Sequence, residues 1–103
     1  MDYWPEVIQV IPTPEYKVYV YFDDGTIRLY DASKLITQGV FKQLQQDDLF
    51  MEACTVLNHT LAWTLDKSYD ESTCLDIDPY SLYGCPVVDE PIELFLSIFG
   101  SGN

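Results

Sequence analysis

The chain has 103 residues, 48% of them hydrophobic and 15% aromatic, and its seventeen acidic side chains face only five basic ones, a formal net charge of −12. A surface this negative repels phosphate backbones and anionic membrane faces and attracts basic protein surfaces. With Arg28 the sole arginine, the bidentate forks that grip phosphate are nearly lacking.

Length and hydrophobic content fit one domain with a core of its own. No apolar run approaches the roughly 20 residues a membrane-spanning helix needs. Cys54, Cys74 and Cys85 form no C-x-x-C pair and are odd in number. No charged-then-apolar leader opens the chain, so a cytoplasmic protein with reduced thiols is expected.

In chain order, Glu6 to Ile11 reads as a strand halted by Pro12-Thr13-Pro14, whose two prolines fix their φ angles. Tyr16 to Phe22 is dense in β-branched and aromatic residues, and Thr26 to Tyr30 returns after Asp23-Asp24-Gly25-Thr26. Asp24-Gly25 suits a two-residue type I′ loop. That loop pairs Phe22 with Ile27, Tyr21 with Arg28, Val20 with Leu29 and Tyr19 with Tyr30. One face is then Val18, Val20, Phe22, Ile27 and Leu29, the core side. The other carries Lys17, Tyr19, Tyr21, Arg28 and Tyr30, with Arg28 over Tyr21 in a cation–π contact.

Asp31 is placed to cap a short helix through Thr37 that Gly39 ends, and Val40, Phe41 and Leu44 predict a further turn before the break at Asp47-Asp48. Met51 to Val56 and Leu61 to Leu65 predict a second hairpin around Asn58-His59. Asp66 to Thr73 is polar and reads as a loop, Cys74 to Asp78 as a short strand, and Pro79 to Tyr83 as one helical turn. The fold class expected is α+β, a small antiparallel β-meander with short helices on one face. Residues 1–83 form the domain. Residues 84–103 form a linker, Cys85 to Pro91, and a tail in which Ile92 to Phe99 holds six large apolar residues in eight. The tail calls for a cover, either the domain's own sheet, a second copy in a homodimer, or a partner's groove.

Phe22-Asp23-Asp24-Gly25, the Tyr30-Asp31 step, Gly39-Val40-Phe41 with Leu44, Phe50, Trp63, and Asp76-Ile77-Asp78-Pro79-Tyr80-Ser81-Leu82-Tyr83 follow one order. That order resembles the bacterial domain-of-unknown-function family 2442 over residues 3 to 83. The resemblance implies a small α+β domain, often encoded alone and sometimes beside a toxin-like protein or joined to a helix-turn-helix segment. It brings no catalytic residues. Where relatives run from the Trp almost directly into Asp-x-Asp-Pro, this chain inserts Asp66 to Thr73, and it adds the apolar tail after Gly84.

No catalytic or cofactor constellation stands out. Asp76 and Asp78, with Asp66, Asp70 and Glu71, cluster carboxylates, but no glycine lies between Asp66 and Asp78 to turn an ordered calcium loop. A Cys54–His59 dyad would need a thiol pKa lowered by its surroundings, and the surroundings are acidic. Three scattered cysteines and one histidine do not make a zinc site. The glycines spell no phosphate-binding motif. Tyr19, Tyr21 and Tyr30 could stack bases, yet only Lys17 and Arg28 stand beside them to draw a strand in.

The function expected is therefore a non-catalytic acidic protein that occupies a basic, nucleic-acid-handling surface of a protein partner. An antitoxin-like protein and a phage-type inhibitor of a nuclease or CRISPR effector both fit. The partner-binding residues expected are Asp66, Tyr69, Asp70, Glu71, Asp76, Asp78 and Tyr80, without direct contact to nucleic acid or membrane. A small-ligand sensing module on the concave side of the sheet is the alternative.

Overall fold

The computed structural model describes residues 4–65 and 74–91. They form two three-stranded antiparallel sheets and a few short helices, an α+β fold. Sheet one is a meander of β1 (Val7–Pro12), β2 (Lys17–Phe22) and β3 (Ile27–Asp31); sheet two is β4 (Cys54–Leu57), β5 (Thr60–Trp63) and β6 (Leu75–Asp76).

Strand β2 alternates as its composition requires, with Val18, Val20 and Phe22 buried and Lys17, Tyr19 and Tyr21 half-buried opposite. A bulge at Ile8 lets Val7 face inward opposite Phe22 while Ile8 is left exposed. The Val7 N–H donates to the His59 carbonyl at 3.0 Å, which ties sheet one to the turn of sheet two.

The first hairpin differs from expectation by one residue. Its loop is three residues long, Asp23-Asp24-Gly25, closed by the Phe22 N–H to the Thr26 carbonyl at 2.9 Å, with Gly25 at φ 88°. This is the type I turn plus left-handed glycine that three-residue hairpins favour. Tyr21 therefore pairs with Ile27, Val20 with Arg28, Tyr19 with Leu29 and Val18 with Tyr30. Since side chains alternate with period two, that slip exchanges the faces of β3. Arg28 and Tyr30 join Val18, Val20 and Phe22 on the inner face. Ile27 and Leu29, expected in the core, lie half-buried on the outer face with Tyr19 and Tyr21. Any side chain at Gly25 meets open space but a left-handed backbone, so Gly25→Ala is expected to cost about 1–2 kcal/mol, read from urea denaturation.

After β3, the Asp31 carboxylate accepts the Ser33 N–H at 2.9 Å, but the helix expected through Thr37 shortens to a 3-10 turn, Leu35–Thr37. A second 3-10 run covers Gly39–Gln45. Ile36 and Leu44 anchor the two runs inward. The break at Asp47-Asp48 is present, both residues having positive φ, and it leads into a helix, α1 (Leu49–Glu52), that takes Met51 out of the expected strand. The second hairpin thus begins at Cys54. The hairpin turns at Asn58 and His59 as expected, and these two residues, at φ 55° and 61°, alone make the turn, since Leu57 and Thr60 already pair. All of β5 is buried. At its end Trp63 donates its indole N–H to the Phe50 carbonyl at 3.1 Å, flanked by the Phe50 and Phe41 rings.

The expected last strand contracts to two residues because Asp78 turns the chain into α2 (Pro79–Tyr83), with Pro79 in the first turn as expected. Beyond it, residues 86–88, expected as linker, run along the free edge of β3. The Leu29 N–H donates to the Pro86 carbonyl at 3.0 Å and the Val88 N–H to the Ile27 carbonyl at 2.8 Å. The apolar segment Ile92 to Phe99 lies outside the described residues.

Candidate protein-binding face

Arg28 organises the junction of β3, α2 and the 86–88 segment. Its guanidinium lies 3.9 Å from the centroid of the Tyr83 ring, and Nη1 donates to the carbonyls of Tyr83 and Cys85. The cation–π contact expected with Tyr21 is thus made with Tyr83, because the slipped register aims Arg28 inward. Tyr21 instead donates its hydroxyl to Glu90 at 3.5 Å on the outer face, and burial together with Glu90 raises its pKa. The only arginine in the chain is committed to holding the fold.

Asp24 completes this junction from the hairpin tip. Its Oδ1 accepts the Thr26 hydroxyl at 2.6 Å and the Thr26 N–H at 2.9 Å, and its Oδ2 accepts the Tyr83 hydroxyl at 2.7 Å. The Thr26 hydroxyl and then Tyr83 hold the Asp24 carboxyl down at about 2. A carboxyl depressed below its unfolded value of about 3.9 contributes stability above that pH and loses it as pH falls through the folded value. The stability gap between wild type and Asp24→Asn should therefore close between about pH 4 and pH 2. Urea melts across that range read it, and a gap independent of pH would contradict the assignment.

Away from this junction, two large aromatics stand in solvent. Trp4 is 75% exposed and Tyr80 50% exposed, and their rings meet edge to face with centroids 6.0 Å apart. Carboxylates stand on the elements that carry them. Asp78 caps α2, its Oδ1 accepting the Tyr80 N–H at 3.0 Å, so the cap that starts the helix also sets the root of the tyrosine. Asp76 is exposed on β6 and accepts the Asn58 amide at 3.1 Å. Next to Asn58, His59 lies 3.4 Å from the Glu6 carboxylate, and Glu6 is two residues from Trp4. The turn of sheet two, the entry to β1 and the start of α2 thus bring Trp4, Glu6, Asp76, Asp78 and Tyr80 onto neighbouring elements.

Of the residues expected to bind a partner, Asp76, Asp78 and Tyr80 fall on this face, while Asp66, Tyr69, Asp70 and Glu71 lie outside the described residues. Trp4 and Glu6 were not expected. The indole precedes the first strand, and only the return of the chain at Tyr80 shows what it touches. The other described acids lie elsewhere along the chain, Glu15, Asp23-Asp24, Asp31, Asp47-Asp48, Glu52 and Asp89-Glu90, and Asp24 and Asp31 hold local hydrogen bonds.

Cys54 and His59 stand apart along the second hairpin, at the start of β4 and in the turn beyond its end, and burial pushes the Cys54 thiol up to about 12. Cys54 packs, half-buried, against the core, and a thiol held protonated is a weak nucleophile. Among the described residues no three His, Cys, Asp or Glu side chains group to hold a metal ion, and no helix is long and apolar enough to cross a membrane.

Residues 7–84 match a family described as a protein of unknown function, DUF2442. The chain belongs to the DUF2442 family. No curated protein and no solved structure matches it. The DUF2442 match contains the Arg28–Tyr83–Asp24 junction and the Asp76, Asp78 and Tyr80 side of the exposed face, but begins after Trp4 and Glu6. In this DUF2442 chain the face therefore joins a piece of the family domain to residues that precede the match.

Proposed function

We propose that this DUF2442 protein is a non-catalytic binding protein that occupies a basic, nucleic-acid-handling surface of a protein partner through the Trp4–Tyr80 face. The observation that carries the reading is an exposed aromatic pair, Trp4 and Tyr80, with Glu6 and Asp78 each two residues from one of them and Asp76 on the adjoining strand, on a chain of net charge −12. Exposed tryptophan and tyrosine are the side chains that anchor interfaces. Surrounding carboxylates favour a cationic partner and speed its approach. Antitoxin-like neutralisation and phage-type inhibition of a nuclease or CRISPR effector are the settings in which such a surface works by competing with phosphate charge.

The alternative is a small-ligand sensing module; among the described residues, a cleft of about 110 Å³ lined by Tyr16, Leu44, Phe50, Met51 and Asp48 is smaller than the roughly 300–1,000 Å³ of common ligand pockets.

Affinity capture from host lysate tests the proposal, comparing wild type with the Glu6→Gln/Asp76→Asn/Asp78→Asn variant at low and high salt. A basic nucleic-acid-handling protein should be retained at low salt, released at high salt and lost in the variant. Equal retention by both proteins, or retention indifferent to salt, would overturn it.

A further inference from the structure

Resting on that reading, we infer that the Trp4–Tyr80 face selects arginine over lysine in its partner. The rings are inclined at 64°, and with three quarters of the Trp4 side chain in solvent the indole is open to a planar group laid against it. A guanidinium is planar, weakly hydrated and stacks on aromatic faces, whereas an ammonium is a compact, strongly hydrated point charge. Tryptophan is the best of the aromatic platforms for a cation. The carboxylates of Glu6, Asp76 and Asp78 supply acceptors that match the forked donors of arginine.

The fold already uses the same chemistry internally. Arg28 lies over the Tyr83 ring while its N–H groups reach carbonyl oxygens, so one ring plus nearby oxygens suffices to hold a guanidinium here. The Trp4–Tyr80 face offers the same kinds of group, aromatic rings and oxygen acceptors, and no arginine of the chain is left for it, since Arg28 is the only one. Of the described cations, Lys17 lies on the outer face of sheet one, opposite Asp31, and Lys34 and Lys42 belong to the 3-10 region. The occupant is an arginine side chain from a basic protein.

The test is titration of the ¹⁵N-labelled full chain with a capped peptide of alternating glycine and arginine, against its lysine counterpart of equal length. The two indole N–H signals serve as probe and control. Trp4 is exposed, and Trp63 is buried with its N–H held by Phe50. The Trp4 signal should move while the Trp63 signal stays, and the arginine peptide should bind about two- to fivefold more tightly than the lysine peptide. That preference should survive added salt, which screens the charge term alike for both peptides, and should vanish in Trp4→Ala.

Equal affinities that fall together in the Glu6→Gln/Asp76→Asn/Asp78→Asn variant would overturn arginine selection while leaving the basic-surface reading standing. An arginine preference unchanged in Trp4→Ala would overturn it too. Binding of neither peptide would overturn the inference, with the lysate capture deciding the broader reading on its own.

Discussion

Trp63→Ala is expected to unfold the protein or leave it barely folded. The side chain is fully buried at the end of a strand buried on both faces, and it packs against Phe50 and Phe41, two rings supplied by different helical segments. Truncating a buried tryptophan to alanine costs about 3–5 kcal/mol. Small domains have total stabilities starting near 5 kcal/mol. Trp63→Phe separates packing from hydrogen bonding: it keeps a ring but leaves the Phe50 carbonyl without its indole donor, for about 1–3 kcal/mol. Urea denaturation followed by circular dichroism measures both. A cost for Trp63→Phe below about 0.5 kcal/mol, the usual range for surface sites, would mean the indole is not where the fold needs it.

The second large effect is at Arg28. Arg28→Lys should lose about 1–3 kcal/mol, because an ammonium cannot lie flat on Tyr83 while reaching two carbonyls. Arg28→Met should lose at least as much, since it leaves those carbonyls without their donor. This measurement also decides the register of the first hairpin. In the register a two-residue loop would impose, Arg28 points to solvent beside Tyr21, and Arg28→Lys would change stability by less than about 0.5 kcal/mol. A double-mutant cycle with Tyr83→Leu isolates the ring contact, with a coupling of about 0.5–2 kcal/mol expected.

The candidate face was half legible in the sequence. Asp78-Pro79 announces a capped helix start, so the position of Tyr80 at the beginning of α2 follows from residues adjacent to it. Asp76 is two residues further back and shares that reading. Trp4 carries no such local signal. Its partner is 76 positions away in the chain, and only the closure of sheet two against β1, through the Val7 N–H and the His59 carbonyl, brings the two together. Glu6 enters the face for the same reason. The tyrosines of β2 and β3 show the opposite case. A two-residue loop puts them on one face, and the true three-residue loop divides them, leaving Tyr19 and Tyr21 outside and Tyr30 within.

What the residues determine by themselves is whatever depends on near neighbours. The alternation of Val18, Val20 and Phe22, the turn at Asn58-His59, the chain break at Asp47-Asp48, the proline-led helix at Pro79 and the excess of negative charge all need no distant partner. The register of β2 against β3 does, because Asp23-Asp24-Gly25-Thr26 satisfies a two-residue and a three-residue loop about equally well on local grounds. The choice falls to the inner face, where the slipped register gives Arg28 a ring and two carbonyls, brings Tyr83 to Asp24, and aligns the β3 edge with residues 86–88. Those contacts join positions more than fifty residues apart, and their energy enters only once the chain has closed on itself.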